Sequence, residues 1–532
     1  MEASIKKREK KFDLHNLSKM ALAKYFSKDI LAISQVLKGG TIDLLEGTLQ
    51  SNIIEIAFDS DALTDEGQIQ LELLIRLLSR LYPRIKISDL ESKHYIITKQ
   101  LGDLAKSINS QIKVTTEAST VVVVVGKTQV SVADDVPVFY CGSNGWLLHF
   151  SQQAPVGCGP SNLPFASGLV ACIAAANVFK FVFRKYLPDV QIDNDFSFSL
   201  QTLDFDSENS PVELSDLGAL AVAGIGAIGN GFLWALSQLK GVAGTVHVVD
   251  EQVISLSNLQ RYILTNERDE GRIKVELAAQ YFEDSEIKVQ PYPRDWKNYC
   301  AHLNHQIPEV IITALDSAKD RITVQAALPK TILNGFTEEG LLGVSRHWNF
   351  LGEACLACMY LPSRAKPSRA MEVAENLGIV NSERTVREYL YYNRNVDATL
   401  LKLISDANCI PIEQLSNFVG TPMSEFYSNF VCGGIFLKLK GDSKIEQKIE
   451  APLAFQSTFA GILLASELFL WRAGCRKETF ANVTHFYPLL AINPTSNPYN
   501  HSLTKDKTGR CLCSDRDFKS VYQNKWSVKD RV

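Results

Sequence analysis

The spacing of apolar and polar positions changes character several times along this chain. Gln68–Leu81 (QIQLELLIRLLSRL) places apolar residues at helical intervals and predicts a packed helix. Thr120–Val125 is a β-branched run that suits a buried strand. Residues 1–40 read as a basic tail and a helix, and helical and extended patterns alternate from there to about 205. Asp204–Ser215 (DFDSENSPVELS) is acidic, polar and proline-bearing, so a linker is expected there, with a new α/β unit from Leu217. In that unit Leu220–Ala223, Thr245–Val249 and Ile311–Leu315 are short apolar strands. Residues 370–430 have helical composition throughout and predict a helical insertion in an α/β domain, followed by a strand at Ile435–Leu439.

One pattern occurs twice. Phe165, Ser167, Ala175 and Phe179 match Phe455, Ser457, Ala465 and Phe469 at one common offset, each set on an Ala-rich apolar helix. The expectation is two related halves. The first lacks a glycine fingerprint, and the second carries the inserted helices ahead of its copy of the repeated helix.

Composition narrows the class. A chain of 532 residues, 46% hydrophobic and 21% charged, has room for several cores and is ordinary for a globular enzyme. A net charge of −4 gives no global basic field for nucleic acid or an acidic membrane, and the basic KKREKK stretch reads as a solvated tail. Gly168–Phe183 is the nearest approach to a membrane span, but it is short and interrupted by Asn177 and Lys180, so a buried helix is expected. Eleven cysteines without an apolar N-terminal leader point to reduced thiols in the cytoplasm, some with metal or catalytic use.

The sharpest chemistry lies in 219–274. Gly224-Ile-Gly226-Ala-Ile-Gly229 follows a strand and opens a helix, and Asp250 ends the next strand. Gly224 permits a tight turn, Gly226 lets a phosphate approach the backbone, and Gly229 allows close helix packing. Asp250 stands where a ribose-binding carboxylate is expected. This much would suit NAD or FAD. The tail Ser257-Asn258-Leu-Gln-Arg261, with Lys274 beyond it, does not, because hydride transfer has no need of an Asn, an Arg and a Lys beside the ribose. Splitting ATP between its α- and β-phosphates does need them: fixed cations neutralise the pyrophosphate, and a further carboxylate holds magnesium. Asp316, at the end of another apolar strand, can supply that carboxylate, or it can be a plain helix cap.

These residues, VVDEQVISLSNLQR with a downstream Lys, resemble the ubiquitin-activating (E1-like) superfamily, including ThiF-type adenylyltransferases of thiamine and molybdopterin biosynthesis. The resemblance implies that Asp250 binds ribose, that Asn258, Arg261 and Lys274 contact phosphates, and that Asp316 holds magnesium. The loop reads DSAKDR where members often carry a further Asp followed by Asn. It also implies two Rossmann-like adenylation folds, one inactive and one active. Residues 1–205 fit the inactive one, since Val121–Val125 leads only into Gly126-Lys-Thr-Gln. Residues 206–369 and 431–532 form the active one, split by the helical insertion 370–430.

Cys355-Leu-Ala-Cys358 and Cys511-Leu-Cys513 are closely spaced pairs that can give a tetrahedral zinc site, as unpaired thiols or a redox pair could also explain them. The family resemblance favours a zinc knot. It also calls for a thioester-forming cysteine. Cys432, in Phe430-Val-Cys432-Gly433-Gly434, has glycines that leave the backbone open to a bulky acyl donor. Cys409, in DANCIPIE, stands at a helix end that would stabilise a thiolate if that end is an N-terminus.

The function implied is ATP-dependent adenylation of the C-terminal glycine of a ubiquitin-like protein, then a thioester, then transfer to a ubiquitin-conjugating-type enzyme. Two adenylation folds in one chain fit a monomer. Proteins resembling this one occur in bacterial conjugation systems, some linked to antiviral defence. The alternatives are a sulfur-carrier adenylyltransferase without a thioester step, an NAD-type oxidoreductase, and a non-catalytic scaffold.

Overall fold

Five successive valines offer no polar face to water, so Val121–Val125 lies buried in the middle of a sheet. The computed structural model describes residues 42–187, 190–205, 207–338, 341–361, 368–430, 452–486 and 498–527. Its first sheet consists of β1 (Ile54–Phe58), β2 (Arg84–Asp89), β3 (Lys113–Val114), β4 (Val121–Val125), β5 (Val138–Asn144), β6 (Leu147–Ser151), β7 (Phe196–Ser199) and β8 (Asp204–Phe205). The second consists of β9 (Asp216–Ala223), β10 (Ala243–Val249), β11 (Ile287–Tyr292), β12 (Val310–Thr313), β13 (Thr331–Glu338), β14 (Leu341–His347), β15 (Val483–Phe486) and β16 (Tyr499–His501).

The two sheets share one topology. The order is β3-β2-β1-β4-β5-β6-β7-β8 in the first and β11-β10-β9-β12-β13-β14-β15-β16 in the second. In both, the first five strands are parallel and the last three run antiparallel. The linker expected at Asp204–Ser215 is shorter than expected, because Asp204–Phe205 is still paired in the first sheet.

Four helices join the two halves and carry their loops: α1 (Asp65–Leu78) after β1, α2 (Pro164–Val182) between β6 and β7, α3 (Ala227–Ser237) after β9, and α4 (Ala454–Arg472) between β14 and β15. The repeated motif is carried by α2 and α4, at equivalent points of the two sheets. They pack on each other reciprocally. Phe165 meets Phe469 at 5.4 Å between ring centroids, and Phe179 meets Phe455 at 5.9 Å. Each contact joins one copy of a motif position to the other copy of its partner position, the signature of a pseudo-two-fold interface. Asn177 and Lys180 do not interrupt α2, because both bond the buried Asp193 (2.7 and 2.9 Å). Both helices have 19 residues and are apolar enough to cross a membrane, yet 94% and 89% of their apolar windows are buried inside the fold.

Residues 369–430 belong to a separate compact unit of short helices at Arg369–Asn376, Glu383–Tyr391, Ala398–Asn408, Ile412–Leu415 and Met423–Phe430. Within it Asp397 caps the helix at Ala398, and Asn408 ties that helix's end to the Leu377 carbonyl (2.8 Å). The expected strand Ile435–Leu439 lies outside the described residues.

Candidate functional site

The glycines after β9 are required for different reasons. Gly224 adopts φ +91°, and a Cβ there would lie 2.9 Å from the Ala314 carbonyl oxygen. At Gly229 a Cβ would fall 2.4 Å from the Gly224 carbonyl oxygen, so helix and loop touch only because Gly229 has no side chain. Gly226 is different. It caps α3, and a Cβ there would approach nothing closer than 3.8 Å, the Ala314 carbonyl and the Tyr262 hydroxyl. Space is thus left over a helix N-terminus, which suits an anion. Asp250 stands one residue past β10, its carboxylate accepting from the Ile225 and Gln252 amides (both 2.9 Å). The end of β12 closes the other side, where the Ala314 amide bonds the Ala223 carbonyl (3.0 Å). Asp316, exposed on this rim, has no hydrogen-bond partner among the described residues.

The tail folds back onto this loop. Lys274 is 4% exposed, and its ammonium lies 3.7 Å from Asp250, 2.7 Å from Gln252 Oε1 and 3.2 Å from the Tyr262 hydroxyl. A buried ammonium stays only where oxygens surround it. Arg261 is half-buried, and its Nε is buried without a hydrogen-bond partner among the described residues. Asn258 spends its side-chain oxygen on the Ser255 amide (3.0 Å), capping its own turn. The structure therefore brings Gly224, Gly226, Gly229, Asp250, Lys274 and the loop bearing Asp316 into one place. It leaves Arg261 as a donor in want of an acceptor, and gives Asn258 a local role. Gln252 and Tyr262 were missed from sequence, because an uncharged partner for a lysine leaves no pattern.

A further set of residues comes from the first half. Arg80, 0% exposed, donates to the carbonyls of Leu259 (2.7 Å), Ile263 (2.9 Å) and Thr265 (2.7 Å). Arg76 donates to Ile263 as well (2.8 Å) and pairs with Glu72 (2.6 Å). Glu72 in turn accepts from the indole of Trp234 on α3 (2.9 Å). One helix of the first half thus holds both the helix of the glycine loop and the segment that carries Arg261. Two arginines four apart, Arg76 in α1 and Arg80 two residues past its end, were the available signal.

The expected counterpart of the glycine loop needs correcting. Val121–Val125 is β4, which corresponds to β12, and the loop equivalent to 224–229 follows β1 instead. There Asp59 accepts from the amides of Asp61 (2.9 Å) and Lys127 (2.8 Å) and from the Thr128 hydroxyl (2.6 Å). Its carboxylate bridges the ends of β1 and β4. Asp61 pairs with Lys127 at 2.6 Å.

The two cysteine pairs, far apart in sequence, converge. The sulfurs of Cys355, Cys358, Cys511 and Cys513 all lie within 4.8 Å of one another, with neighbouring pairs at 3.4 to 4.0 Å. Four thiolates about 2.3 Å from one zinc would stand at such separations, so the donor set fits zinc. Sulfur–sulfur contacts with Cys355, Cys511 and Cys513 hold the Cys358 thiol well below its ordinary range. Cys409 is exposed, but it follows the C-terminal end of its helix at φ +55°, so the N-terminal setting considered for it is not met. Cys432 lies outside the described residues.

Comparison with known proteins adds to this geometry. The model of the ThiF family matches residues 199–511, and that of Prokaryotic E2 family C matches residues 57–184. Protein y4jF of Sinorhizobium fredii, described as uncharacterized, is 37% identical over 513 residues, spanning 95% of this chain and 98% of its own. The NEDD8-activating enzyme E1 catalytic subunit of Saccharomyces cerevisiae is 25% identical over 36% of this chain and 65% of its own length. Adenylyltransferase and sulfurtransferase UBA4 of Meyerozyma guilliermondii is 26% identical over 30% and 37%.

Proposed function

This chain belongs to the ThiF family, and we propose that it adenylates the C-terminal glycine carboxylate of a ubiquitin-like protein and then takes the acyl group onto a cysteine. The observation that carries the adenylation step is Lys274. A lysine buried against the carboxylate expected to bind ribose has no use in hydride transfer, but it is suited to the charge that develops on phosphates.

In the first step a carboxylate oxygen of the partner attacks the α-phosphorus of ATP. The bond from that phosphorus to the bridging oxygen breaks, and pyrophosphate leaves with the electron pair. Lys274, the α3 N-terminus and the Arg261 Nε stabilise the developing charge. Asp250 orients the ribose. Asp316, without a side-chain partner among the described residues, is the residue that would hold magnesium, whose charge offsets that of the phosphates. In the second step a thiolate attacks the acyl carbon and AMP leaves, giving a thioester. Cys432 is the nucleophile on this reading, with Cys409 as its rival. Zinc on the four cysteines would tie the chain end to the second sheet and take no part in the reaction.

Residues 1–205 act as the inactive adenylation half, with Asp59 lying where a phosphate would sit. Part of this half matches a family described as E2, yet Cys141, Cys158 and Cys172, its cysteines, are all buried. A conjugating enzyme is therefore proposed as a separate partner.

The test combines the protein with ATP, magnesium and a ubiquitin-like protein encoded nearby. ATP–pyrophosphate exchange that needs this partner is expected. Exchange without any thiol-sensitive adduct would favour the sulfur-carrier reading, and no exchange with several such partners would sink the proposal.

A further inference from the structure

A buried polar network joins the cysteine cluster to the loop of Asp316. On one side, the hydroxyl of Tyr360, two residues past Cys358, accepts from Arg321 Nη1 (2.9 Å), and the guanidinium lies 4.8 Å from the ring centroid. Arg321 is 6% exposed, and its Nη2 donates to the Leu315 carbonyl, the one just before Asp316, and to the Gly335 carbonyl (3.1 Å). On the other side, His347 Nδ1 is 3.0 Å from the Ala354 carbonyl, which precedes Cys355. With that nitrogen donating, Nε2 accepts from Ser345 Oγ (3.0 Å). Ser345 accepts from Asn334 Nδ2 (3.0 Å), and Asn334 Oδ1 accepts from Thr313 Oγ1 (2.7 Å) at the end of β12. Asn334 also donates to Tyr360 (3.2 Å), which closes the two routes into one network.

Both ends of the Cys-x-x-Cys segment are thus bonded to both sides of Ala314. Asp316 has no side-chain partner of its own among the described residues, so its place is set through the backbone that Arg321 grips. We propose that Arg321 and Tyr360 are positioning residues for the Asp316 carboxylate, and that they make its placement depend on the cysteine cluster. This rests on the reading of Asp316 as the residue that holds magnesium.

The test uses the full chain and the fluorescent analogue mant-ATP, whose binding is titrated with magnesium. Residues behind a metal ligand typically change metal affinity by 10- to 100-fold, so Arg321→Lys is expected to raise the magnesium needed for half-maximal binding about tenfold. Tyr360→Phe keeps the ring and removes one hydrogen bond, for a rise of about threefold. Zinc content should stay at the wild-type level in both. Should both variants lower the thermal midpoint while keeping the wild-type magnesium dependence, the network is only structural and the inference is overturned. Asp316→Asn separates the two readings. If it leaves the magnesium dependence unchanged, the metal assignment falls and takes the inference with it. If it shifts the dependence while Arg321→Lys and Tyr360→Phe do not, the inference alone fails.

Discussion

Arg80 of the first half donates a 2.9 Å hydrogen bond to the carbonyl of Ile263 in the second, two residues past Arg261. With its bonds to Leu259 and Thr265, it fixes the backbone on both sides of the arginine proposed to meet phosphate. The first half therefore holds the backbone of the segment that carries Arg261.

Removing that grip should show in both stability and binding. Arg80→Met leaves the Leu259 and Thr265 carbonyls without their charged donor, and Ile263 with Arg76 alone, and is expected to cost on the order of 3 kcal/mol. Arg80→Lys keeps the charge but cannot span three acceptors. In mant-ATP titrations both should weaken nucleotide binding, the methionine variant more. Wild-type affinity in a folded Arg80→Met protein would refute the positioning role.

Arg261→Ala and Lys274→Ala test the phosphate site directly. Loss of a donor aimed at developing charge typically lowers turnover about 100- to 1,000-fold. Pyrophosphate exchange should fall by that order in each. Arg261→Ala should leave the thermal midpoint nearly unchanged, because its Nε has no partner among the described residues.

Metal analysis of the purified chain should find zinc equimolar with protein. Cys511→Ser should lose the metal and make the remaining thiols of the cluster reactive toward a chromogenic thiol reagent. A metal-free protein whose melting is indifferent to added zinc would exclude the structural role.

The nucleophile is decided on non-reducing gels. A thiol-sensitive adduct with the ubiquitin-like partner is expected in the wild type and in Cys409→Ala, and is expected to vanish in Cys432→Ala. An adduct that survives Cys432→Ala and disappears in Cys409→Ala moves the role to Cys409.

Acid should weaken the packing of α4. Burial alone would raise the Glu467 pKa, but Arg346 and Arg476, at 2.7 and 2.8 Å, hold it down at about 2. A depressed folded-state value means stability that is present above the unfolded value and lost as pH falls through the folded one. The loss should fall between pH of about 4.5 and 2, and amount to roughly 3 kcal/mol. Glu467→Gln should flatten that part of the profile in chemical denaturation.

How much of this was legible in sequence depends on the range of the interaction. The turn formed by Gly224, Gly226, Gly229 and Asp250 was legible because a glycine turn between strand and helix is local. The turn, the helix start and the strand end are all encoded within a few residues. The pairing of Phe165 with Phe469 was half legible: the repeat announced two halves, and only packing showed that the copies meet across a pseudo-two-fold axis. A linker spanning all of Asp204–Ser215 starts too early, because an edge strand of two residues has no period to read.

By itself, then, the sequence determined the chemistry available at the loop, the cysteine pairs, and the presence of two related halves. These rest on backbone conformation and spacing, which neighbouring residues encode. Tertiary structure alone decided that Asp59 bridges the ends of β1 and β4, that Lys274 faces Asp250, and that Arg80 holds the loop of the other half. Each of these is a charged side chain meeting an amide, a carbonyl or a carboxylate brought near by the fold. Every residue offers a backbone group, so such contacts leave no mark in the order of the amino acids.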